Sequence, residues 1–140
     1  MSESCACGGA PDLIFPCSGA ADVGELADKA ARKMTGDNRG RMYCLAGVGG
    51  RVKGILKMTG MAGSILAING CQRECATHCL EQAGFEGFES VNITDLGFRK
   101  GRTDVDAETV AATADRLWSL GKNAGSHRKA EAEDTMENPI

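Results

Sequence analysis

The sequence predicts an α/β fold: a three-layer sandwich around a small, mostly parallel four-stranded sheet of flavodoxin-like or Rossmann-like type. Two observations predict it. Four short apolar runs alternate with four segments of helical periodicity, and glycine-rich turn residues separate them. This alternation calls for right-handed crossovers, which place helices on both faces of a parallel sheet. By analogy with the flavodoxin-like order, the first strand lies between the second and the third.

The first strand and helix have the clearest pattern. Residues 13–17 form a compact apolar run. In residues 22–34 the apolar positions recur at three- and four-residue steps from Val23 to Met34, which predicts an amphipathic helix. Asp22 is a suitable cap for the start of this helix, and the turn residues that follow it end the helix.

The second unit is less regular because glycine interrupts it. Residues 41–46 are predicted to form the second strand, and the glycine-rich residues 47–50 a loop. A helix is predicted over residues 51–61, although Gly54 and Gly60 weaken it, since glycine costs helix stability.

The remaining units follow the same alternation. Residues 65–69 are a buried strand, and residues 72–83 a helix that ends at Gly84. Residues 89–94 alternate as a fourth strand. After a loop, residues 107–120 form the last predicted helix.

The length of 140 residues suits one domain. We expect a flexible arm at residues 1–11 that carries Cys5 and Cys7, a folded domain at residues 12–121, and a disordered, charged tail at residues 122–140.

Composition excludes several classes of function. The net charge is -3, with one Trp and one Tyr, so a nucleic-acid partner is not expected. No apolar stretch approaches the roughly 20 residues needed to cross a bilayer, so no membrane association is expected. Seven cysteines are an odd number, and the N-terminus lacks the basic region of a secretory signal. We therefore expect a cytoplasmic protein with reduced thiols, whose protein partners the sequence does not identify.

Cysteines lie near the ends of three predicted strands, at Cys17, Cys44 and Cys71, and Cys75 lies one helical turn beyond Cys71. Because the carboxyl ends of parallel strands meet at one edge, we expect these four thiols to converge there. Four thiolates are a typical ligand set for tetrahedral Zn²⁺. The sequence therefore predicts a zinc-binding protein with a multi-cysteine site at this edge and no assigned reaction.

Other residues near these cysteines bear on the charge of the site and on which side chains are its ligands. Four thiolates around Zn²⁺ leave a net charge of about -2, which helix N-termini, Arg51 and Arg73 could offset. Cys79 is predicted to pack in the core, because a position eight residues after Cys71 is turned by about 80° around a helix. His78 is predicted to be solvated. The competing interpretation is that the cysteines are simply small buried apolar residues.

The alternative function is a thiol-dependent redox enzyme, or one that handles metalloids or sulfur, with a low-pKa cysteine at a helix N-terminus. The segment from Cys44 to Arg51 is similar to the anion loop of a phosphatase or arsenate reductase. However, six residues separate its ends where that loop has five. The sequence has no Cys-x-x-Cys pair. A third hypothesis, a phosphate cradle at residues 47–50, matches neither the dinucleotide fingerprint nor a P-loop.

At Asn69-Gly70-Cys71-x-x-x-Cys75 the chain resembles the DGC-domain family, named after an Asp-Gly-Cys motif at this point. The resemblance implies a small cysteine-rich domain that binds zinc, with no settled activity. Asn69 departs from the family Asp, so a capping role survives, whereas a role as carboxylate ligand or general base does not. The resemblance covers about residues 10–121, with specific stretches at 16–28, 42–52, 69–75, 80–85 and 94–98.

Overall fold

The computed structural model describes the backbone of residues 10–135 and the side chains of residues 10–121. Within this part of the chain four strands form one parallel sheet with the order β2-β1-β3-β4. This order confirms the predicted fold class and the predicted place of the first strand between the second and the third. The strands are β1 (Asp12–Pro16), β2 (Arg41–Met42), β3 (Ser64–Asn69) and β4 (Glu89–Asn92).

Helices cover both faces of the sheet, as a three-layer sandwich requires. The described helices are α1 (Asp22–Gly36), α2 (Leu45–Gly49), α3 (Lys53–Gly60), α4 (Cys75–Gln82) and α5 (Ala107–Thr135), and a short 3-10 helix, Ile93–Leu96, follows β4. In the described part of the chain, no helix combines the length and apolarity that crossing a membrane requires.

The core has two halves because successive side chains of a strand point to opposite faces of the sheet. Ile14 packs with α1 and α5, against Leu26 and Leu117, and all three are at most 2% exposed. Phe15, its neighbour in β1, is fully buried on the other face with Leu80 of α4. Full burial of one such side chain stabilises the fold by about 1.5–3 kcal/mol.

Glycines allow the first turn of α1 to approach the carboxyl edge of the sheet closely. A Cβ on Gly24 would lie 2.8 Å from the backbone of Gly19. A Cβ on Gly70, directly after β3, would lie 3.0 Å from the backbone nitrogen of Gly24. A Cβ at residue 24 would come closer than real Cβ atoms do, and one at residue 70 would be tighter than most, so α1 packs against the two loops because both positions are glycine.

The second unit differs from its prediction. Residues 47–49 belong to α2 and Gly50 caps its end, so this segment is not the predicted loop, and β2 covers two residues instead of six. The predicted helix 51–61 begins later, at Lys53, because Arg51 has a left-handed backbone (φ 59°) that ends the preceding helix. The carbonyl oxygen of Gly47 accepts a hydrogen bond from the backbone N–H of Val52 at 2.9 Å, and this bond holds the break between α2 and α3.

Helix α4 begins at Cys75, three residues later than predicted. Glu74 has a left-handed backbone (φ 53°). Its N–H donates a hydrogen bond to the carbonyl of Cys71 at 3.0 Å and so closes a tight turn. Cys71 is therefore not helical. The predicted helical step from Cys71 to Cys75 is wrong, and so is the angular argument that excluded Cys79, because both assumed one continuous helix.

Helix α5 extends to Thr135, past the predicted end at residue 120 and into residues 122–135, for which the sequence predicts a disordered tail. Gly121 keeps a helical backbone and so does not stop the helix. The Cys5-x-Cys7 arm and residues 136–140 lie outside the described residues. The division into arm, domain and tail stays a prediction.

Candidate functional site

Cys17 follows β1 directly and is held at the edge of the sheet by its backbone. Its N–H donates to the carbonyl of Ile68 in β3 at 2.8 Å, so the pairing of the two strands continues to this residue. The side chain is half-buried against the core beneath α1. A Cβ on Gly19 would lie 3.2 Å from its Sγ, so the turn after Cys17 fits closely over the sulfur.

Cys44 occupies the cap position at the start of α2. Its Sγ accepts a hydrogen bond from the N–H of Gly47 at 3.3 Å, and the thiol is exposed. The preceding residue, Tyr43, donates its N–H to the carbonyl of Ile14 at 2.8 Å, which keeps this segment beside β1. Sulfur is a weak acceptor, yet here it meets one of the N–H groups that a helix start leaves without an intrahelical partner.

A cavity of about 440 Å³ opens between these two cysteines. Its lining includes Cys17, Cys44 and Cys79, together with Met42 at the end of β2. Cys79, which the sequence analysis assigned to core packing, is half-buried and reaches the cavity from α4. Four sulfur-bearing residues from three segments of the chain therefore line one space.

Cys71 and Cys75 are placed differently, and neither lines this cavity. Cys71 lies in the loop after β3, half-buried, with the Nζ of Lys100 at 3.8 Å from its Sγ. Cys75 is the first residue of α4, and its thiol is exposed. All four predicted ligands thus follow strands or lie at helix starts on the carboxyl side of the sheet, but only two of them share the cavity.

The loop that carries Lys100 is held in place by Asp22, at the start of α1. Its carboxylate accepts the N–H of Gly101 at 2.7 Å and that of Thr103 at 2.8 Å. These two hydrogen bonds, together with one from the N–H of Val23, lower the pKa of Asp22 below its ordinary 3.8. The loop therefore crosses the first turn of α1 with its lysine beside Cys71.

Lys100 adds a positive charge at the edge that the sequence analysis does not name. The guanidinium of Arg51 donates to the carbonyls of Val48 and Gly49, at 2.8 and 3.2 Å, at the C-terminal end of α2. Arg73 is exposed. The ammonium of Lys100 lies beside the thiol of Cys71, and the sequence does not reveal this because the residues around Lys100 carry no signal of the path of their loop.

Asn69 is fully buried, and its side chain makes three hydrogen bonds at this edge of the sheet. Its Oδ1 accepts the N–H of Thr77 in the first turn of α4 at 3.1 Å. Its Nδ2 donates to the Oγ1 of Thr77 at 2.8 Å and to the Oδ1 of Asn92 at 3.1 Å. Asn69 therefore caps α4 in place of Glu74, whose side chain makes no capping bond, and joins the ends of β3 and β4.

The thiols at this edge are not gathered around one point. In residues 10–121 no three His, Cys, Asp or Glu side chains converge as a group that could hold a metal. The four predicted ligands consequently do not fit a tetrahedral zinc site as they stand. His78, predicted to be solvated, has 62% of its side chain exposed, near Glu81.

These features define a class: a small parallel α/β domain with several free thiols around the carboxyl edge of its sheet. Residues 13–117 match the DGC domain, and the chain belongs to that family. The chain is 31% identical over 106 residues to the anaerobic and virulence modulator AnvM of Pseudomonas aeruginosa PAO1. The aligned region covers 76% of this chain and 79% of that protein. No solved structure matches the chain.

Proposed function

We propose that this chain binds zinc through thiolates at the carboxyl edge of its sheet, with Cys17, Cys44, Cys71 and Cys75 as ligands. The observation that supports it is the adjacency of β2, β1 and β3, because a cysteine follows each of these strands. The resemblance to the DGC family supports the same metal.

The proposal requires the edge to close on the ion, because the thiols do not converge as they stand. Zinc binding to structural thiolate sites releases about 10–16 kcal/mol in small domains at neutral pH. Moving a loop and a few side chains costs about 1–2 kcal/mol per residue that becomes fixed. The metal can therefore draw in a short segment, such as the loop that carries Cys71, without unfolding the sheet.

Lys100 supports the electrostatics of such a site. A closed set of four thiolates around Zn²⁺ is anionic, and a charge of that kind needs compensation when it is half-buried. The ammonium of Lys100 stands 3.8 Å from the sulfur of Cys71, and Asp22 fixes the loop that carries it.

Zinc analysis of protein purified without added metal tests the proposal. We expect one zinc per chain in the unmodified protein and a loss of zinc in Cys17→Ser, Cys44→Ser, Cys71→Ser and Cys75→Ser. Cys79→Ser is the matched control, since it removes a half-buried thiol outside the ligand set and is expected to keep the zinc. Undiminished zinc in all four variants would contradict the assignment.

Thiol chemistry is the second candidate, and the hydrogen bond from Gly47 to the sulfur of Cys44 favours it. Alkylation rates of the individual cysteines distinguish the two candidates. One fast thiol, unaffected by chelator, supports a reactive cysteine, whereas uniform protection that a chelator releases supports zinc.

The proposed zinc site also implies a reducing compartment, and we propose the cytoplasm. The five cysteines of the described residues are all unpaired, and thiolate ligands must stay reduced to bind metal. Alkylating the thiols in the presence of a chelator, at the moment of lysis and without reductant, tests this. Thiols from a reducing compartment react once zinc is removed, whereas oxidised cysteines stay unreactive and would contradict the assignment.

A further inference from the structure

We propose that the exposed side of α3 binds an anionic membrane surface by resting on the lipid headgroups. Five side chains make up this α3 surface: Val52, Lys53, Lys57, Met58 and Met61. None of them belongs to the proposed zinc site, so the two proposals stand or fall separately. The expectation of no membrane association rests on the lack of a spanning stretch, which does not bear on a contact at the headgroups.

The inner side of α3 fixes the orientation of the helix. Ile55 and Leu56 are partly buried and pack against the core. Thr59 is almost fully buried, and its Oγ1 donates a hydrogen bond to the carbonyl of Ile55 at 2.7 Å. Positions four residues apart share a side of a helix, so Lys53 and Lys57 lie together on the opposite, exposed side.

Apolar side chains are unusually exposed on this outer side. In residues 10–121 four large apolar side chains are exposed, and three of them belong to the α3 surface. Val52 is 52% exposed, Met58 37% and Met61 56%. Clustered exposed apolar side chains mark a contact with a partner or with a membrane. Because methionine is flexible, it can adapt to the irregular boundary between headgroups and acyl chains.

The α3 surface carries only positive charge. Residues 38–73 contain no Asp or Glu, although the whole chain has 19 of them. Lys53 and Lys57 are exposed, and within the part of the chain whose side chains are described neither ammonium has an ion-pair partner. The guanidinium of Arg51, just before α3, is bound to carbonyl oxygens and adds its charge to the same region. The two lysines are therefore free to meet anionic headgroups.

The shape of the α3 surface favours a membrane over a protein segment. A docked peptide needs a groove or the edge of a sheet. The α3 surface is the outer side of one helix, and α3 lines neither the thiol cavity nor the cavity at the amino edge of the sheet. A membrane needs no groove, because lipids rearrange around a helix and the lysine stems let the ammonium groups reach the headgroups. Two lysines give a weak attraction, so we expect reversible binding that depends on ionic strength.

Co-sedimentation of the full chain with lipid vesicles at low ionic strength tests the inference. We expect binding to mixed phosphatidylserine and phosphatidylcholine vesicles and none to pure phosphatidylcholine vesicles. The double variant Lys53→Glu, Lys57→Glu should weaken binding at least about tenfold, because each attraction to the anionic surface becomes a repulsion. Met58→Ser with Met61→Ser should also weaken binding, by about tenfold, because it removes apolar contact and keeps the charge.

Arg99→Glu with Arg102→Glu is the matched control, since it changes the net charge equally at two exposed cations of the loop before α5. Equal weakening in this control, or unchanged binding in the lysine variant, would overturn the inference. Failure of the unmodified chain to bind the mixed vesicles would also overturn it. Binding of a soluble peptide of Glu and Leu in that case would assign the α3 surface to an acidic protein partner. Circular dichroism checks that each variant keeps its fold.

Discussion

At the scale of single residues, the thiols of this chain differ by what stands next to them. Cys44 accepts a backbone N–H, Cys71 has an ammonium beside it, and Cys75 faces solvent. The side chains that create these differences, above all Lys100 and Asn69, are themselves held by other residues. Each of them can therefore be changed without touching a sulfur.

Asn69 gives the first prediction. Asn69→Ala should lower the free energy of unfolding by about 1–3 kcal/mol, because it leaves the buried N–H of Thr77 without its acceptor. Asn69→Asp keeps the acceptor for that N–H, but it loses the two donated bonds and buries a carboxylate, so it should also destabilise the protein. Urea unfolding measures both.

Gln82→Ala is the control, since this exposed amide lies on the same helix, and its effect should stay within about 0.5 kcal/mol. Equal stability of Asn69→Ala and the parent would show that α4 does not depend on this cap.

At the scale of elements, the loops and helix starts around the carboxyl edge are set by contacts between elements. Helix α1 contacts the loops after β1 and β3 through glycines, and its first residue, Asp22, holds the loop before α5. Strand, helix and loop at this edge therefore form one packed unit, and a substitution in one of them should change the packing of the others.

Two helical glycines should respond in opposite directions to the same substitution. Gly24→Ala places a Cβ 2.8 Å from the backbone of Gly19, and such overpacking typically costs about 1–3 kcal/mol. Gly54→Ala in α3 meets nothing within 4 Å and should stabilise the protein by up to about 1 kcal/mol. Thermal or urea unfolding compares them, and a neutral Gly24→Ala would contradict the close approach of α1.

The loop bound by Asp22 should show a defined pH dependence. Its folded-state pKa is lowered, so its contribution to stability is present above the ordinary value of 3.8 and is lost as the pH falls through the folded pKa. Asp22→Ala should remove this part of the acid sensitivity. It should also speed amide hydrogen exchange at Gly101 and Thr103 at neutral pH.

The exposed carboxylate of Asp104, in the same loop, provides the control. Asp104→Ala should leave the exchange at Gly101 and Thr103 unchanged, and NMR follows both amides. Unchanged exchange in Asp22→Ala would mean that the loop is held by other contacts.

At the scale of the whole molecule, the sheet is stable only when both faces are covered, and α5 closes one of them together with α1. Leu117 of α5 is fully buried, so Leu117→Ala should cost about 2–5 kcal/mol, the loss of transfer energy plus the cavity left behind. Leu120 lies on the same helix with 42% exposure, and Leu120→Ala should be far milder. Chemical denaturation measures the free energy of unfolding of both variants. Similar losses in the two would contradict the burial of Leu117 and the exposure of Leu120 on α5.

The parts of the fold that follow from local pattern were predictable. The periodicity from Val23 to Met34 predicts α1 correctly, and the alternation of strands and helices predicts the parallel sheet, because these signals reside in neighbouring residues. The break between α2 and α3, the late start of α4 and the continuation of α5 were not predictable. They depend on single backbone conformations, such as the positive φ of Arg51 and Glu74, which residue type does not reveal.

The sequence by itself determined the family, the class of fold and the edge at which cysteines follow strands, since strand order and chain direction are consequences of hydrophobic pattern and chirality. Only the tertiary structure decided which thiols share a space: Cys79 joins Cys17 and Cys44, while Cys71 stands beside Lys100. The physical reason is that a shared cavity depends on how loops and helix starts are oriented in three dimensions. Residues far apart in sequence, such as Asp22 and Gly101, fix those orientations.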